Sequence, residues 1–148
     1  KGELDDLCCQ LTPSSWINPH RSMFGLGNYD VNVIMAALQR KNYDLTWWDK
    51  RKTPSASDID NAFGLILNLP SPNRVTSLLY PFKSKHWLGI KKFGSKYFNL
   101  DSKLHAPEEI GSTAEVKQYL QKQLEDKECE LFLVTTSKQC TLATAEHL

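Results

Sequence analysis

The sequence predicts a single mixed α/β (α+β) domain in which an antiparallel sheet is covered by helices. Three observations support this fold class. Segments with helical and strand-like patterns follow one another in the order helix, strand, helix, strand, hairpin, helix, strand. The 148 residues are enough for about one hydrophobic core. No internal repeat or low-complexity linker divides the chain.

The helices are predicted from apolar spacing and from capping residues. A first helix is expected over Gly2 to Leu11, and a second over Tyr29 to Lys41, where Asn28 or Asp30 can act as the cap. Ser55 to Asn61 fits a short capped helix. A last helix is expected after Ser112, because Glu115 follows it at the spacing of a capping box.

The strands are predicted from short runs of apolar and β-branched residues. Asp44 to Trp48 reads as the first strand, and Cys129 to Val134 as the closing one. Phe63 to Leu69 is apolar on both faces, which is typical of a central strand. Leu104 to Gly111 is expected to form a loop.

A hairpin is predicted from His86 to Leu100. Its strands, His86 to Phe93 and Lys96 to Leu100, are joined by Gly94 and Ser95, which have the chemistry of a tight turn. Because a hairpin returns the chain to its starting point, Asp101 leaving the second strand is expected beside His86.

A histidine paired with a carboxylate in this way can act as a general base. The carboxylate accepts a hydrogen bond from one ring nitrogen and leaves the other free to take a proton from a nucleophile. Trp87 adds an apolar wall next to His86 in the sequence. Surface histidines also meet carboxylates without any chemistry, so the spacing alone leaves a structural role open.

Composition excludes several classes of function. With 18 basic and 17 acidic residues and a net charge of +1, no overall field draws the chain to nucleic acid. No apolar run reaches the roughly 20 residues of a membrane helix. The four cysteines are expected to be reduced, as in a cytoplasmic protein, since no disulfide framework is evident. Their spacing does not fit a metal site, and we expect no cofactor.

Several motifs together resemble the Josephin family of cysteine deubiquitinases, and most closely its small stand-alone members. The resemblance runs from about Leu4 to Thr136. The motifs that carry it are, in order, Leu26 to Leu38, Trp47 to Arg51, Leu67 to Ser71, His86-Trp87 and Tyr97 to Leu104.

The resemblance implies a papain-like cysteine-protease architecture over residues 1–136, followed by a polar tail, 137–148. It also implies ubiquitin or polyubiquitin conjugates as partners. In the family's triad of Cys, His and Asn or Asp, the last two members fall on His86 and Asp101. Val31 and Asn32 match positions that touch ubiquitin in a relative, and Trp87 is expected to line the substrate slot.

The nucleophile of the family lies at the start of a helix ahead of the segment that matches Asp5 to Leu11. We therefore expect that these 148 residues, without that leading helix, do not hydrolyse isopeptide bonds by themselves. Cys8 and Cys9 are poor substitutes, because they fall late in a helix beside Asp5 and Asp6, where a thiolate is not stabilised. The alternative function is a catalytically inactive module that binds ubiquitin.

Overall fold

The computed structural model describes residues 2–3, 30–71 and 85–137. Within these residues the helices are α1 (Val31–Gln39), α2 (Ala56–Asn61) and α3 (Thr113–Leu124). The strands are β1 (Tyr43–Trp47), β2 (Gly64–Pro70), β3 (Lys85–Phe93), β4 (Lys96–Asn99), β5 (Glu108–Gly111) and β6 (Glu130–Thr136).

The strands form one six-stranded sheet in the order β1-β6-β2-β3-β4-β5. Every neighbouring pair is antiparallel. β2 lies in the interior between β6 and β3, which confirms the central position expected from its apolar sequence. The predicted class, a mixed α/β domain with an antiparallel sheet and covering helices, is confirmed.

Each helix begins at a capping residue that the sequence offers. Asp30 caps α1, where its side chain accepts a hydrogen bond from the N–H of Asn32 at 2.7 Å. Ser55 and Asp58 form a reciprocal capping box at the start of α2. At the start of α3, the Glu115 side chain accepts from the N–H of Ser112, as the spacing predicts.

Alternation along the strands sorts their side chains onto two faces of the sheet. We call the face on which α2 and α3 pack the core face. Ile59 of α2 and Val116 and Leu120 of α3 lie against it, all of them fully buried. Its own buried residues on β2, β3 and β6 are Leu65, Leu67, Leu88, Ile90 and Leu131.

The opposite face carries a row of aromatic rings, and we call it the aromatic face. The Phe132 ring lies at its centre, with centroid distances of 5.0 Å to Trp47 and 5.7 Å to Trp87. Phe132 is only 1% exposed, whereas Trp47 is 57% exposed. The row therefore links β1, β6 and β3 across the sheet by contacts within the range preferred by aromatic pairs.

The expected loop from Leu104 to Gly111 is wrong in its second half, because Glu108–Gly111 forms the edge strand β5. β5 pairs with β4 through an irregular register between Tyr97 and Phe98. Glu108 and Glu109 are exposed. Since an edge strand is held by backbone bonds on one side only, it does not need the apolar alternation that reveals interior strands.

Two expectations lie largely outside the described residues. Gly2 and Glu3 are helical, but the rest of the first predicted helix is not described. The same holds for the tail from residue 138 onwards. None of the helices in the described part of the chain is long and apolar enough to cross a membrane.

The core face predicts the effect of truncating its central side chain. Leu67 is fully buried on an interior strand. Leu67→Ala should lower the free energy of unfolding by about 3 kcal/mol, because it removes buried methyl groups and leaves a cavity. Urea denaturation of the wild type and the variant measures this loss. Leu104→Ala is the matched control, since Leu104 is 37% exposed, and an equal loss in both variants would contradict the assignment of the core.

Candidate active site

The β3–β4 hairpin brings the predicted His86 and Asp101 together. His86 is the second residue of β3, and Asp101 follows β4 by two residues. Gly94, in the turn, has a φ of 62°, which a residue without a Cβ adopts readily. The distance between Nε2 of His86 and Oδ1 of Asp101 is 2.6 Å.

This contact decides which ring nitrogen is basic. An ionised carboxylate only accepts hydrogen bonds, so Nε2 of His86 must be the donor. The neutral ring then carries its lone pair on Nδ1, which is the nitrogen available to accept a proton. The side chains of His86 and Asp101 are only 19% and 16% exposed. Such shielding from water strengthens the hydrogen bond between them.

Opposing effects set the pKa of the Asp101 carboxyl. Burial is the largest single effect and raises this pKa. The N–H of Lys103, 2.8 Å from Oδ1, and the hydrogen bond and charge of His86 together lower it by more. The net pKa of Asp101 lies below its ordinary value of 3.8. The carboxyl is therefore ionised at neutral pH and accepts the hydrogen bond from Nε2 of His86.

A tyrosine from α3 adds to this environment. Burial raises the pKa of Tyr119, and the negative charge of Asp101 raises it further. The phenol therefore stays neutral at physiological pH. The position of Tyr119 in the apolar stripe of α3 gave no sign of this influence of Asp101, because the influence depends on how α3 packs against β4 and β5.

The structure does not bring the Trp87 ring to the side of His86. In β3, His86 pairs with Leu69 and Trp87 pairs with Asn68. Successive side chains of a strand point to opposite faces, so His86 lies on the core face and Trp87 on the aromatic face. The ring of Trp87 contacts Phe132 there. Neighbouring positions in the sequence are thus separated by the sheet itself.

Val31 and Asn32 also lie apart from the His–Asp pair. They occupy the first turn of α1, where Asn32 is exposed and Val31 is partly buried. α1 contacts β1, which is separated from β3 by β6 and β2. At a strand spacing of about 4.8 Å, this places β1 about 14 Å from β3.

Cys129 is not suited to act as a nucleophile. It is fully buried in the hydrophobic core, and burial raises the pKa of its thiol to about 11. The reactive form of a cysteine is the thiolate, so this residue is an inert core group at neutral pH. The other three cysteines lie outside the described residues. Within the described ranges, no group of three His, Cys, Asp or Glu side chains is placed to hold a metal ion.

A second polar cluster, which was not predicted from the sequence, supports the start of β3. Glu130 Oε2 accepts from Asn68 Nδ2 at 3.2 Å and from Lys85 Nζ at 3.1 Å. Asn68 is only 6% exposed. The feature of the sequence that could have revealed this cluster is Asn68, a single amide side chain in the apolar run of β2. The cluster joins β2, β6 and the residue directly before His86, and so helps to fix where β3 begins.

An antiparallel sheet with helices on it and a partly buried His–Asp pair at the ends of two strands fits the papain-like class of mixed α/β domains. The match of a family model is more specific. The model of the Josephin family matches residues 6–135. The chain therefore belongs to the Josephin family, a family of deubiquitinase type.

Individual relatives agree with this assignment. The chain is 46% identical to Josephin-2 of Homo sapiens over 134 residues, which cover 90% of this chain and 71% of the relative. It is 45% identical to a Josephin-like protein of Drosophila melanogaster over 135 residues, which cover 90% of this chain and 61% of the relative. A Josephin-like protein of Arabidopsis thaliana is 37% identical over 117 residues, which cover 76% of this chain and 31% of the relative.

The lowered pKa of Asp101 predicts how its contribution to stability depends on pH. A carboxyl with a folded pKa below its unfolded value stabilises the fold above the unfolded value. Wild type should therefore exceed Asp101→Asn in stability at neutral pH. The difference should shrink as the pH falls below 3.8 towards the lowered folded pKa. Urea denaturation of both proteins across this range measures it.

Leu104→Ala is the control for this comparison, since it removes no titratable group. Its difference from wild type should not vary with pH over the same range. A constant difference between wild type and Asp101→Asn down to the lowest pH would show that the charge of Asp101 is not stabilised by folding.

Proposed function

We propose that this chain forms the base-bearing part of a ubiquitin-specific thiol hydrolase of the Josephin type. In this proposal His86 is the general base and acid, and Asp101 orients it. The observation that supports the proposal most is the 2.6 Å contact between Nε2 of His86 and Oδ1 of Asp101. It fixes the tautomer that such chemistry needs and leaves Nδ1 for the proton of a thiol.

The first half of the reaction forms a thioester. Nδ1 of His86 takes the proton of the nucleophilic thiol, and the thiolate sulfur attacks the carbonyl carbon of the C-terminal Gly of ubiquitin. Asp101 stabilises the resulting imidazolium. When the tetrahedral intermediate collapses, the bond to the lysine amine breaks, and His86 returns the proton to that leaving nitrogen.

The second half releases ubiquitin. His86, again neutral, takes a proton from a water molecule as its oxygen attacks the thioester carbonyl. The carbon–sulfur bond then breaks, and the proton returns from His86 to the sulfur. The products are free ubiquitin, the freed amine and the regenerated thiol. Neither half of the reaction changes an oxidation state, so the reaction needs no oxidant or reductant, and its atoms balance without a metal.

The nucleophile in this proposal is the Cys that the family resemblance puts ahead of the segment matching Asp5. Two properties of Cys129 make it unsuitable for the role, its full burial and its pKa of about 11. For ubiquitin itself, we assign Asn32 and Val31 of α1 as contacts at a distance from the reacting bond. Asn32 supports this best because it is exposed. Trp87 is left with a structural role on the aromatic face.

The proposal is tested with ubiquitin that carries a thiol-reactive group at its C-terminus. A form extended upstream to a first Met, which we call the full-length protein, should form a covalent adduct, and the 148-residue chain should not. An adduct on the 148-residue chain would overturn the assignment of the nucleophile and implicate Cys8 or Cys9. Binding of ubiquitin without an adduct on either form would favour the inactive binding module.

Substitution of His86 tests the general base. His86→Ala in the full-length protein should lower kcat for hydrolysis of a ubiquitin–lysine bond by about 10²- to 10⁴-fold, the usual contribution of general acid–base catalysis. Steady-state kinetics measure the loss. His105→Ala is the matched control, since His105 is an exposed histidine in the loop before β5. Similar activity in both variants would contradict the role of His86.

Substitution of Asp101 separates orientation from charge. Asp101→Ala removes the acceptor for Nε2 and should lower kcat on the order of 100-fold, the lower end of the contribution of general acid–base catalysis. Asp101→Asn keeps an acceptor oxygen at the same position, so it should retain most of the activity. Comparison of kcat for the two variants is the measurement, and equal losses would show that the negative charge, rather than the acceptor, is what matters.

A further inference from the structure

Asn99 lies two residues before Asp101, at the end of β4. It is the last residue of β4, where it is paired with Ile90 of β3 and with Glu108 of β5. Its side chain is partly buried. The ladder thus fixes the backbone of Asn99 from both sides, whereas Asp101 lies beyond the end of the strand.

The side chain of Asn99 holds the backbone of Asp101. Its Oδ1 accepts a hydrogen bond from the N–H of Asp101 at 2.9 Å. This is the arrangement of an Asx-turn, in which an Asn or Asp side chain bonds to the backbone two residues further on. The turn bends the chain away from the strand direction directly before the carboxylate.

Hydrogen bonds also hold the residues before and after Asp101. The N–H of Leu100 donates to the carbonyl of Gly89 in β3 at 2.8 Å, which is the last backbone tie to that strand. Oδ1 of Asp101 accepts from the N–H of Lys103 at 2.8 Å. The carbonyl of Asp101 accepts from the N–H of Leu104 at 3.1 Å. The backbone N–H of Asp101 itself is held by the side chain of Asn99.

We propose that Asn99 is a positioning residue of the hydrolase, which keeps the Asp101 carboxylate within hydrogen-bonding distance of Nε2 of His86. The inference rests on the function proposed above. Asn99 acts through Asp101 and does not contact the reacting atoms. Without its carbonyl, the N–H of Asp101 loses its acceptor in a partly buried site, and the turn that aims the carboxylate is released.

Four variants of the full-length protein separate this role from a merely structural one. Asn99→Ala removes the acceptor, and Asn99→Gln moves it by one methylene group. Asn99→Ser keeps a neutral oxygen that can bond to the N–H two residues on. Asn61→Ala is the matched control, because Asn61 is an exposed amide at the end of α2.

The kinetic test is a split between kcat and KM. Asn99→Ala and Asn99→Gln should lower kcat for ubiquitin–lysine hydrolysis by about 10-fold and leave KM within about 2-fold, since a misplaced orienting group affects the chemical step more than binding. Asn99→Ser should recover part of kcat, and Asn61→Ala should match wild type. A kcat within about 2-fold of wild type in both Asn99→Ala and Asn99→Gln would overturn the proposal.

A spectroscopic test does not depend on catalysis. The ¹⁵N chemical shifts of the His86 ring report which nitrogen carries the proton, and a proton held between Nε2 and Asp101 is expected far downfield in the ¹H spectrum. Both signatures should be present in wild type and Asn99→Ser. They should be lost in Asn99→Ala and Asn99→Gln, as in Asp101→Ala. Their persistence in Asn99→Ala would overturn the proposal even if kcat falls.

The two tests distinguish failure of this inference from failure of the proposed function. If wild type shows no hydrolysis but the ring signals follow the pattern above, the hydrolase proposal fails and Asn99 still positions Asp101. If wild type hydrolyses its substrate and the His86 ring signals are the same in wild type and the Asn99 variants, only the positioning role is wrong. Should Asn99→Ala prove unfolded by circular dichroism, the comparison of Asn99→Gln with Asn99→Ser decides.

Discussion

The antiparallel register between β3 and β4 is the constraint on which the candidate site depends. Ile90 lies opposite Asn99, and Phe93 opposite Lys96, so the end of β4 is brought back towards the start of β3. A shift of this register by one residue would turn the side chains of one strand to the other face of the sheet. His86 and Asp101 meet because the buried apolar residues on the same face, such as Leu88 and Ile90, tolerate only one register.

The rest of the sheet supports this register from the other side. β2 pairs with β3 over six residues, from Leu65 opposite Ile90 to Pro70 opposite Lys85. The cluster of Asn68, Glu130 and Lys85 adds polar contacts at the end where His86 lies. A pair of titratable side chains is thus held on a rigid scaffold, and neither partner depends on a long loop for its position. Catalytic geometry needs support of this kind.

Much of the fold could be predicted because its signals are local. The turn at Gly94, the capping box at Ser112 and the apolar run of β2 each depend on a few adjacent residues. The contact between His86 and Asp101 followed from the turn and the spacing. β5 could not be found in this way, because its pairing with β4 is made by the backbone and its exposed glutamates resemble a loop.

Two placements in the structure depend on more than nearness in sequence. Trp87 follows His86 directly, yet the strand's alternation puts its ring beside Phe132 on the other face. The distance of α1 from the pair depends on how many strands separate β1 from β3. That number is set by long-range pairing, which one sequence does not reveal.

The insertion of β6 between β1 and β2 has a consequence for synthesis on the ribosome. β6 is the last strand of the described chain, yet it fills the interior of the sheet and pairs with both neighbours. Within the described residues β1 pairs with β6 alone, so until β6 emerges β1 lacks this partner and β2 has an open edge. The β3–β4 hairpin can already form at that stage. Such open edges invite association with other nascent chains. Among the described strands, the arrival of β6 is therefore the step that closes the sheet.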